Sequence, residues 1–472
     1  MKKLLMVFVG AVMIGEMLSA QNVGIGTTTP GEKLHVAGNI KADTVKPAAL
    51  KILLNAGEGK VLTSDANGNA SWRETNVSSA TSNGTVGFGA WGDCSMNGVS
   101  EYTPVTDTTI APQANYGFAV AQAGNFAIVG VPGIGKGAAN IYQFNGSTWV
   151  LTQKLTDPTS SKTSLFGASV VITDKYAFVG APFDSVGGKA QRGSVSVFQL
   201  NGNTWQPLQK IIDATGAEGD AFGIGIALSG NILVITAALA DIGARADQGY
   251  ANTYQLNGNN WVFQQKIINA SGDGIGSVAI SDNFMILGSG TTKVGANNNQ
   301  GAANIYQFKN NSWTFFKRLI DSTGAANGGF GSSLAMSGNF AMVGASGTFR
   351  GTIFGTGAVF VYRFDGTTWT LSQKITDPAS NEQDFFGGFI FMKDNYAGIG
   401  SRSSTSPERK GAAVIFTKVG PLWQEVQKLT DPHGIKDDGF GNTISIDPVS
   451  KRFVVGVSGY VNFTGKVIFG KL

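Results

Sequence analysis

The chain is poor in the residues that most often build disulfides, metal centres and catalytic sites. It has 472 residues but only one cysteine, Cys94, and two histidines, His35 and His433. A single cysteine excludes a disulfide within the chain. No nucleophile-elbow, zinc-protease or phosphate-loop motif occurs. Because a lone loop histidine beside Pro and Gly is more often solvated than catalytic, we predict no catalytic residue and a protein that is not an enzyme.

Charged residues and long apolar runs are also scarce. Charged residues make up 14% of the chain, and the formal net charge of +4 disfavours a nucleic-acid partner. No stretch after the first twenty residues is apolar for long enough to span a bilayer. The first twenty combine two lysines, an apolar run and a small residue before Gln21, which is the pattern of a secretory signal peptide cleaved near Ala20. We therefore predict a secreted protein, extracellular or on a cell surface.

Glycine, in contrast, is abundant. The 66 glycines fall in clusters between short runs rich in Val, Ile, Phe and Tyr, a pattern typical of short strands and tight turns. A tryptophan recurs at intervals of 52 to 56 residues, and a base follows it after five residues. The tryptophans are Trp149, Trp205, Trp261, Trp313, Trp369 and Trp423. The bases are Lys154, Lys210, Lys266, Arg318, Lys374 and Lys428, each followed after three residues by Asp or Asn.

An aromatic residue followed by glycine opens each unit of this repeat. It occurs first as Tyr116-Gly117, and the fourth of its seven copies is altered to Ile275-Gly276. Four strand-like runs in about fifty residues are typical of a propeller blade. The seventh unit lacks its fourth strand, and TPVTD within residues 99–107 has the pattern of the missing QKLTD. We therefore predict an all-β, seven-bladed β-propeller of four-stranded blades, closed by residues 99–107 in the last blade.

The units resemble the short form of the FG-GAP repeat, a family of blades also found in the integrin α-chain propeller. The resemblance rests on FGASVVITDKYAFVGAP, FGSSLAMSGNFAMVGAS and WTLSQKITD, and it covers residues 99–472. It implies a role in adhesion or recognition. Calcium-binding blades of that family carry a run of Asp and Asn ligands between their first two strands. Here the connections are SGN, TDK, SDN and KDN, too short for six or more oxygen ligands, so we predict no metal and no cofactor.

The segment before the propeller has a different character. Residues 21–73 contain NVGIGTTTPGEKLHVAGNIKA and resemble the β-rich stalk repeats of secreted bacterial surface proteins and tail-fibre-like chains. That resemblance implies a homo-oligomer formed through the stalk. Residues 74–90 are a flexible linker by composition. We assign residues 91–472 to the propeller.

The connections between strands predict which face of the propeller binds a partner. Turns between the first two strands, and between the last two, are short and uniform. Loops between the second and third strands lie on the opposite face with the crossovers between blades, and they differ from blade to blade. Because varied loops on a rigid scaffold are free to bind, we place function on this second face.

Two groups of charged residues on that face are candidates for ligand binding. The loop cations predict an acidic protein or glycan as partner, although solvated loop charges account for the same pattern. These cations are Lys189, Arg192, Arg245, Arg350, Arg402 and Arg409. Four aspartates, each two residues before the opening pair of a unit, are expected near the mouth of the central channel. They either hold a cation or an amine or cap the crossover turns. They are Asp220, Asp273, Asp384 and Asp438.

The repeated tryptophans and bases each allow two interpretations. The tryptophans either pack between blades or stack on sugar rings. The bases either protect the outer strand edge or bind a polyanion. Our favoured interpretation is a recognition or adhesion module for protein or glycan. The alternatives are a propeller lectin and, less favoured, a polysaccharide-active hydrolase or lyase that would use Asp384, Asp438 or His433.

Overall fold

The computed structural model describes the propeller region with few gaps and short strands before it. The described residues are 23–25, 34–36, 60–64, 70–74, 102–105, 113–133, 135–269, 271–378, 380, 382–401, 411–431, 433–434, 438–459 and 464–472. They contain strands and turns but no helix, and hence none long and apolar enough to cross a membrane. The chain divides into two compact units, Met1–Phe88 and Gly89–Leu472.

The first unit contains two pairs of short strands. Strand β1 (Val23–Ile25) pairs in parallel with β2 (Leu34–Val36), and β3 (Lys60–Ser64) pairs antiparallel with β4 (Ala70–Glu74). The predicted signal peptide lies outside the described residues, as does the predicted linker beyond Glu74.

The second unit consists of seven antiparallel sheets of four strands each. Blade 1 comprises β6 (Val120–Ala123), β7 (Phe126–Val131), β8 (Ala138–Phe144) and β9 (Trp149–Leu155). Blade 2 comprises β10 (Ser169–Ile172), β11 (Tyr176–Ala181), β12 (Ser194–Asn201) and β13 (Thr204–Ile211). Blade 3 comprises β14 (Phe222–Ser229), β15 (Ile232–Ala237), β16 (Tyr250–Asn257) and β17 (Asn260–Ile267). Blade 4 comprises β18 (Ser277–Ser281), β19 (Phe284–Ser289), β20 (Ala302–Lys309) and β21 (Ser312–Leu319).

The remaining three blades follow the same order. Blade 5 comprises β22 (Phe330–Ser337), β23 (Phe340–Ala345), β24 (Ala358–Phe364) and β25 (Trp369–Ile375). Blade 6 comprises β26 (Phe389–Lys393), β27 (Tyr396–Ser401), β28 (Ala412–Val419) and β29 (Leu422–Leu429). Blade 7 comprises β30 (Phe440–Asp447), β31 (Arg452–Val457), β32 (Lys466–Lys471) and β5 (Tyr102–Val105). The predicted all-β fold of seven four-stranded blades is confirmed.

The first strands of the blades line the axis and form a closed cycle. Each contacts the first strand of the next blade, and β30 of blade 7 contacts β6 of blade 1. At this seam the Tyr116 N–H donates to the Thr464 carbonyl (3.0 Å), and the Gln122 N–H donates to the Ser445 hydroxyl (3.0 Å). The ring therefore closes through contacts between blades 7 and 1.

The fourth strand of blade 7 comes from the other end of the propeller sequence. In the structure β5 pairs antiparallel with β32, with Val105 opposite Val467 and Pro104 opposite Ile468. This register matches the other blades, where Ile375 lies opposite Val359 and Lys374 opposite Phe360. Of the predicted closing segment 99–107, the structure describes residues 102–105.

Backbone contacts between glycines set the distance between neighbouring blades. A Cβ atom on Gly180, in the second strand of blade 2, would overlap the Gly223 carbonyl oxygen at the start of blade 3. The same relation holds at five more seams. The second-strand glycines and their partners are Gly130 with Gly167, Gly180 with Gly223, Gly288 with Gly331, Gly344 with Gly387, Gly400 with Gly441 and Gly456 with Gly117. Both glycines of the repeat are thus needed because two backbones meet there without a side chain between them.

The seam between blades 3 and 4 departs from this rule on both sides. Thr236 replaces the second-strand glycine, and it pairs with Gly225. The next blade opens with the altered pair Ile275-Gly276, and a Cβ on Gly276 would meet no atom closer than the Gly288 carbonyl oxygen at 3.8 Å. The two departures from the repeat therefore fall at one seam, where the close contact between two glycines is missing.

The two kinds of seam predict that replacing a glycine by alanine destabilises the protein at one seam and leaves its stability unchanged at the other. Gly180→Ala should lower the free energy of unfolding by about 1–3 kcal/mol, because the methyl group has no space. Gly276→Ala is the matched control and should stay within about 0.5 kcal/mol of the parent. Urea denaturation of the two variants measures the difference. Equal losses in both would contradict the proposed role of the seam glycines.

The last blade gives a second prediction. Deletion of residues 99–107 should leave β32 with an unpaired edge and lower the thermal unfolding midpoint by about 5 °C or more. Deletion of nine residues from the predicted linker, 77–85, controls for shortening the chain. If both deletions leave the midpoint unchanged, β5 does not complete the last blade.

Candidate functional site

Strand direction places two kinds of connection on opposite faces of the ring. We call the face that carries the second-to-third loops and the crossovers the loop face, and the opposite one the turn face. The second-to-third loops are residues 132–137, 182–193, 238–249, 290–301, 346–357, 402–411 and 458–465. The structure describes these loops completely in blades 2 to 5.

The loops of blades 2 to 5 share a backbone turn that their sequences do not suggest. In each, two residues three apart exchange both backbone hydrogen bonds, as Val186 and Lys189 do (3.1 and 3.2 Å). The pairs are Val186 with Lys189, Ile242 with Arg245, Val294 with Asn297 and Arg350 with Ile353. The loops therefore vary in side chains while the turn itself is repeated.

Buried polar side chains fix these turns to the neighbouring crossover. The Gln248 amide donates to the Asn269 carbonyl (2.9 Å), and the Gln300 amide donates to the Asp321 carbonyl (2.7 Å). Arg192 holds the same position in blade 2, and its guanidinium donates to the Asp213 carbonyl. These side chains hold the loop face rigid.

The structure separates the predicted loop cations into different roles. Arg192 is buried and holds the scaffold. Lys189 donates to the Gly216 carbonyl (2.7 Å), and Arg350 donates to the Pro378 and Ser380 carbonyls. Arg245 is exposed, with its guanidinium beside Gly272. Arg402 and Arg409 lie outside the described residues.

The four predicted aspartates are buried and engaged within the propeller. Asp220 accepts hydrogen bonds from the Ala217 N–H (2.8 Å) and the Tyr250 hydroxyl (3.1 Å). Asp438 accepts from the Phe440 N–H (3.1 Å), and Asp384 is also buried and partnered. The backbone bonds of Asp220 and Asp438 match the turn-capping alternative.

Asp273, the fourth aspartate, joins two strands of blade 4. It accepts two hydrogen bonds from Arg318 (2.6 and 2.8 Å) and one from Asn304 (3.0 Å). Among the described residues no group of three or more His, Cys, Asp or Glu side chains is arranged to hold a metal. His433, in the crossover after blade 6, uses its backbone N–H to donate to Asp431 (2.9 Å).

The repeated bases join neighbouring blades, a role that the edge-protection interpretation does not include. The base of one blade forms an ion pair with the repeated aspartate of the preceding blade. These pairs are Lys210 with Asp157 (2.8 Å), Lys266 with Asp213 (2.7 Å) and Lys428 with Asp377 (2.7 Å). Where Asn269 replaces the aspartate, Arg318 pairs with Asp273 instead.

Blade 7 keeps this inter-blade pair by a substitution. Its fourth strand has Pro104 at the position of the base. Lys466, the first residue of the third strand, supplies the ammonium group to Asp431 of blade 6, and both side chains are buried. The inter-blade ion pair is therefore retained although the residue that forms it has moved to another strand.

Glutamines next to the bases add a further link that the sequence analysis missed. The Gln153 amide donates to the Trp205 carbonyl (2.8 Å) and accepts from the Trp205 N–H (2.8 Å). The other pairs are Gln209 with Trp261, Gln265 with Trp313 and Gln373 with Trp423. The repeated QK dipeptide was the available signal in the sequence.

The tryptophans are buried between blades, so they do not form exposed platforms for sugar rings. Trp205 and Trp369 are at most 2% exposed. Trp149 of blade 1 stacks on Phe469 of blade 7, with ring centroids 4.8 Å apart. Trp261 packs edge-on against Phe178 of the preceding blade (5.3 Å). The packing interpretation accounts for these residues.

The inter-blade ion pairs stabilise the charged form of their carboxylates. Burial alone raises the pKa of Asp157, Asp213 and Asp273, but hydrogen bonds from the basic partner and neighbouring groups outweigh burial and hold each pKa below the ordinary 3.8. A lowered folded-state pKa adds stability above the unfolded value. This contribution is present at neutral pH and is lost as the pH falls from about 3.8 through the folded-state values.

A central cavity of about 680 Å³ opens among the first strands. Its wall includes Phe118, Ile224 and Phe389 from the starts of first strands, and Ser346 and Ser458 from the ends of second strands. Both positions belong to the loop-face half of the channel. No charged residue lines the described wall, so the predicted aspartates do not form the channel mouth.

A buried ion pair and a more exposed one predict different losses of unfolding free energy when the lysine is replaced. Lys466→Met leaves the buried Asp431 carboxylate without its cation and should cost about 3–5 kcal/mol of unfolding free energy. Lys428→Met removes a more exposed pair and should cost about 1 kcal/mol or less. Urea denaturation measures both variants. Similar losses would contradict the assignment of Lys466 as the replacement for the missing base.

Comparison with known proteins identifies the family of the repeat. The FG-GAP repeat family model matches residues 149–198, 205–253 and 313–362. A structure of a functionally unknown protein from Desulfotomaculum acetoxidans DSM 771 is similar, with a TM-score of 0.43 and 11% identity, covering 68% of this chain and 86% of that chain. The comparison with curated proteins gives no significant match. Three repeats of the chain therefore match the FG-GAP repeat family, and they lie within the seven-bladed β-propeller.

Proposed function

We propose that the protein is an extracellular recognition module that binds a protein or glycan partner through the loop face. The observation that carries this proposal is the repeated turn of blades 2 to 5. At one position of the same turn the four blades carry Lys189, Arg245, Asn297 and Ile353. The Asn297 amide donates to Gln300 and to the Gly324 carbonyl, whereas the other three side chains are exposed. A fixed backbone that displays different side chains supplies specificity at a low ordering cost on binding.

The charges of the loop face favour an acidic partner. On the described second-to-third loops the exposed cations outnumber the exposed carboxylates Asp241 and Asp247, and a third carboxylate, Asp184, is buried and paired with Lys210. The exposed cations are Lys136, Lys189, Arg245, Lys293 and Arg350. Positive charge at the rim of an interface speeds association with an acidic surface and makes binding weaken as salt rises.

An extracellular location and a non-enzymatic role belong to the same proposal. The signal-peptide pattern that ends near Ala20 supports secretion. The engagement of Asp384 and Asp438 within the propeller supports binding without catalysis. Self-association through residues 21–73 stays a prediction, which sedimentation of a 21–90 fragment tests.

Matched charge reversals test the choice of face. The full chain is screened against purified extracellular proteins and arrayed glycans, and each saturable binder is measured again with two double variants. Arg245→Glu with Lys293→Glu should weaken binding at least about tenfold. Lys309→Glu with Lys393→Glu changes the same charge on the turn face, where both lysines are exposed, and should leave binding unchanged.

Two outcomes would overturn the proposal. If the turn-face variant loses binding and the loop-face variant keeps it, the face has been assigned wrongly. If product release from an arrayed glycan accompanies binding and Asp384→Asn or Asp438→Asn abolishes it, the protein is an enzyme.

A further inference from the structure

The central cavity on the loop face has the size of a binding pocket. Its volume of about 680 Å³ lies within the range of roughly 300–1,000 Å³ that is usual for ligand sites. Phe118 and Ile224 line it and are 46% and 38% exposed, so their apolar surface faces open space inside a concave wall. Exposed apolar surface in a concavity is where burial by a ligand gains most.

The polar groups of the wall are largely used within the ring. The Ser169, Ser277 and Ser333 hydroxyls donate to the Gly223, Gly331 and Gly387 carbonyls of the neighbouring blades, at 2.7, 2.6 and 2.6 Å. The described wall contains no charged residue that could neutralise a carboxylate, a phosphate or an amine. The wall therefore favours an uncharged, mainly apolar occupant, because a buried charge without a partner is costly.

A row of aromatic residues leads from the loop face into the cavity. Phe349, 41% exposed in the blade 5 loop, packs against Phe354 (5.1 Å between ring centroids), and Phe354 packs against Phe385 (6.1 Å). Phe385 lines the cavity. The blade 5 loop also exposes Ile353, so apolar surface continues from the loop tip to the cavity wall.

Phe385 has a positive φ, a backbone conformation that recurs at the same position of the repeat in other blades. The residue before the opening aromatic has a positive φ between +51° and +69° in six blades. These residues are Asn115, Leu165, Ala221, Gly329, Phe385 and Gly439. Two of the blades use glycine, which adopts this conformation without cost, whereas a bulky side chain is disfavoured there. This backbone conformation belongs to the repeat, and in blade 6 it carries an aromatic ring at the cavity wall.

We propose that the central cavity receives an uncharged aromatic side chain of the partner protein, with Phe385 contacting its ring and Ile224 lining the same cavity. The inference rests on the proposed recognition role of the loop face and names what that face recognises. A neutral sugar is disfavoured because the wall offers few free polar side chains to orient its hydroxyl groups. Buried aromatic anchors in a pocket, surrounded by polar residues, are the usual centre of a protein interface.

Two probes that differ only in charge test the proposal on the full chain. Ligand-observed NMR titration compares N-acetyl-tryptophanamide, which is neutral, with N-acetyl-tryptophan, which carries a carboxylate. The neutral probe should bind saturably with a dissociation constant on the order of 1 mM. The charged probe should bind at least about tenfold more weakly, because its carboxylate finds no partner in the cavity.

Variants locate the binding. Ile224→Glu places a charge in the cavity and should weaken the neutral probe at least about tenfold. Phe385→Gly should fold, because Gly329 and Gly439 occupy the same position in other blades, and it should weaken the probe by removing the ring. Leu371→Glu is the matched control, because Leu371 is 53% exposed on an outer strand, and it should leave binding unchanged.

Several outcomes of these titrations would contradict the proposed aromatic site. Absence of saturable binding, equal affinity for the two probes, or equal effects of Ile224→Glu and Leu371→Glu would overturn it. Binding of methyl glucoside that displaces the neutral probe would replace it with the lectin alternative. Its failure is distinct from failure of the proposed function, which is measured by the charge reversals of Arg245 and Lys293 without any tryptophan probe.

Discussion

The structure depends on a contact between two backbones, in which the carbonyl of a blade's opening glycine lies against the Cα of the preceding blade's second-strand glycine. A contact without side chains leaves little freedom in the spacing of the blades, since interiors pack densely and any added methyl group must displace neighbours. At three of these seams the opening glycine also donates its N–H within its own blade, as Gly167 does to Gly180 (2.9 Å). The other two are Gly117 to Gly130 (3.0 Å) and Gly387 to Gly400 (2.9 Å). Seven blades of nearly equal geometry then close into a ring, with Gly456 and Gly117 at the seam between the last blade and the first.

Farther from the axis, side chains of the outer strands add hydrogen bonds and ion pairs between neighbouring blades, and these contacts differ in how deeply they are buried. Glutamine side-chain amides bond the backbone of the tryptophan in the next blade, and a base and an aspartate meet at the loop face. These links are repeated even where the sequence changes, since Lys317 replaces the glutamine at Trp369 and Lys466 replaces the base in blade 7. The arrangement pairs the buried carboxylates Asp157, Asp213 and Asp431 with a cation of the next blade, as a buried charge requires.

The polar contacts between blades determine which side chains the loop face and the cavity leave available for a partner. The polar side chains that carry the scaffold are turned into the seams, so the carboxylates near the axis serve the ring and the channel wall is left uncharged. What remains available for a partner is the set of side chains at the loop tips together with the uncharged wall of the cavity. The channel wall is therefore uncharged, whereas the exposed cations lie on the loops around it.

The repeat in the sequence was enough to predict seven blades, four strands in each and the two kinds of face, because hydrophobic runs and turn residues are local signals. The inter-blade partners could not be predicted, since Lys210 and Asp157 are far apart in the chain and meet only when two blades are adjacent. The aspartates were placed at the channel mouth because strand direction locates a residue along the axis but does not say which way its side chain turns. Similarly, the loops of blades 2 to 5 differ in sequence, whereas the turn they share depends on backbone hydrogen bonds that few fixed residues specify.

Amide hydrogen exchange at the closing seam tests the closed ring most directly. The Tyr116 N–H donates to the Thr464 carbonyl across the seam between blades 7 and 1, as the Phe222 and Phe330 N–H groups donate to Arg192 and Gln300 at other seams. Closure predicts that Tyr116 exchanges as slowly as Phe222 and Phe330, in the global unfolding regime. Fast exchange at Tyr116 beside slow exchange at the other two would show that the first and last blades do not meet.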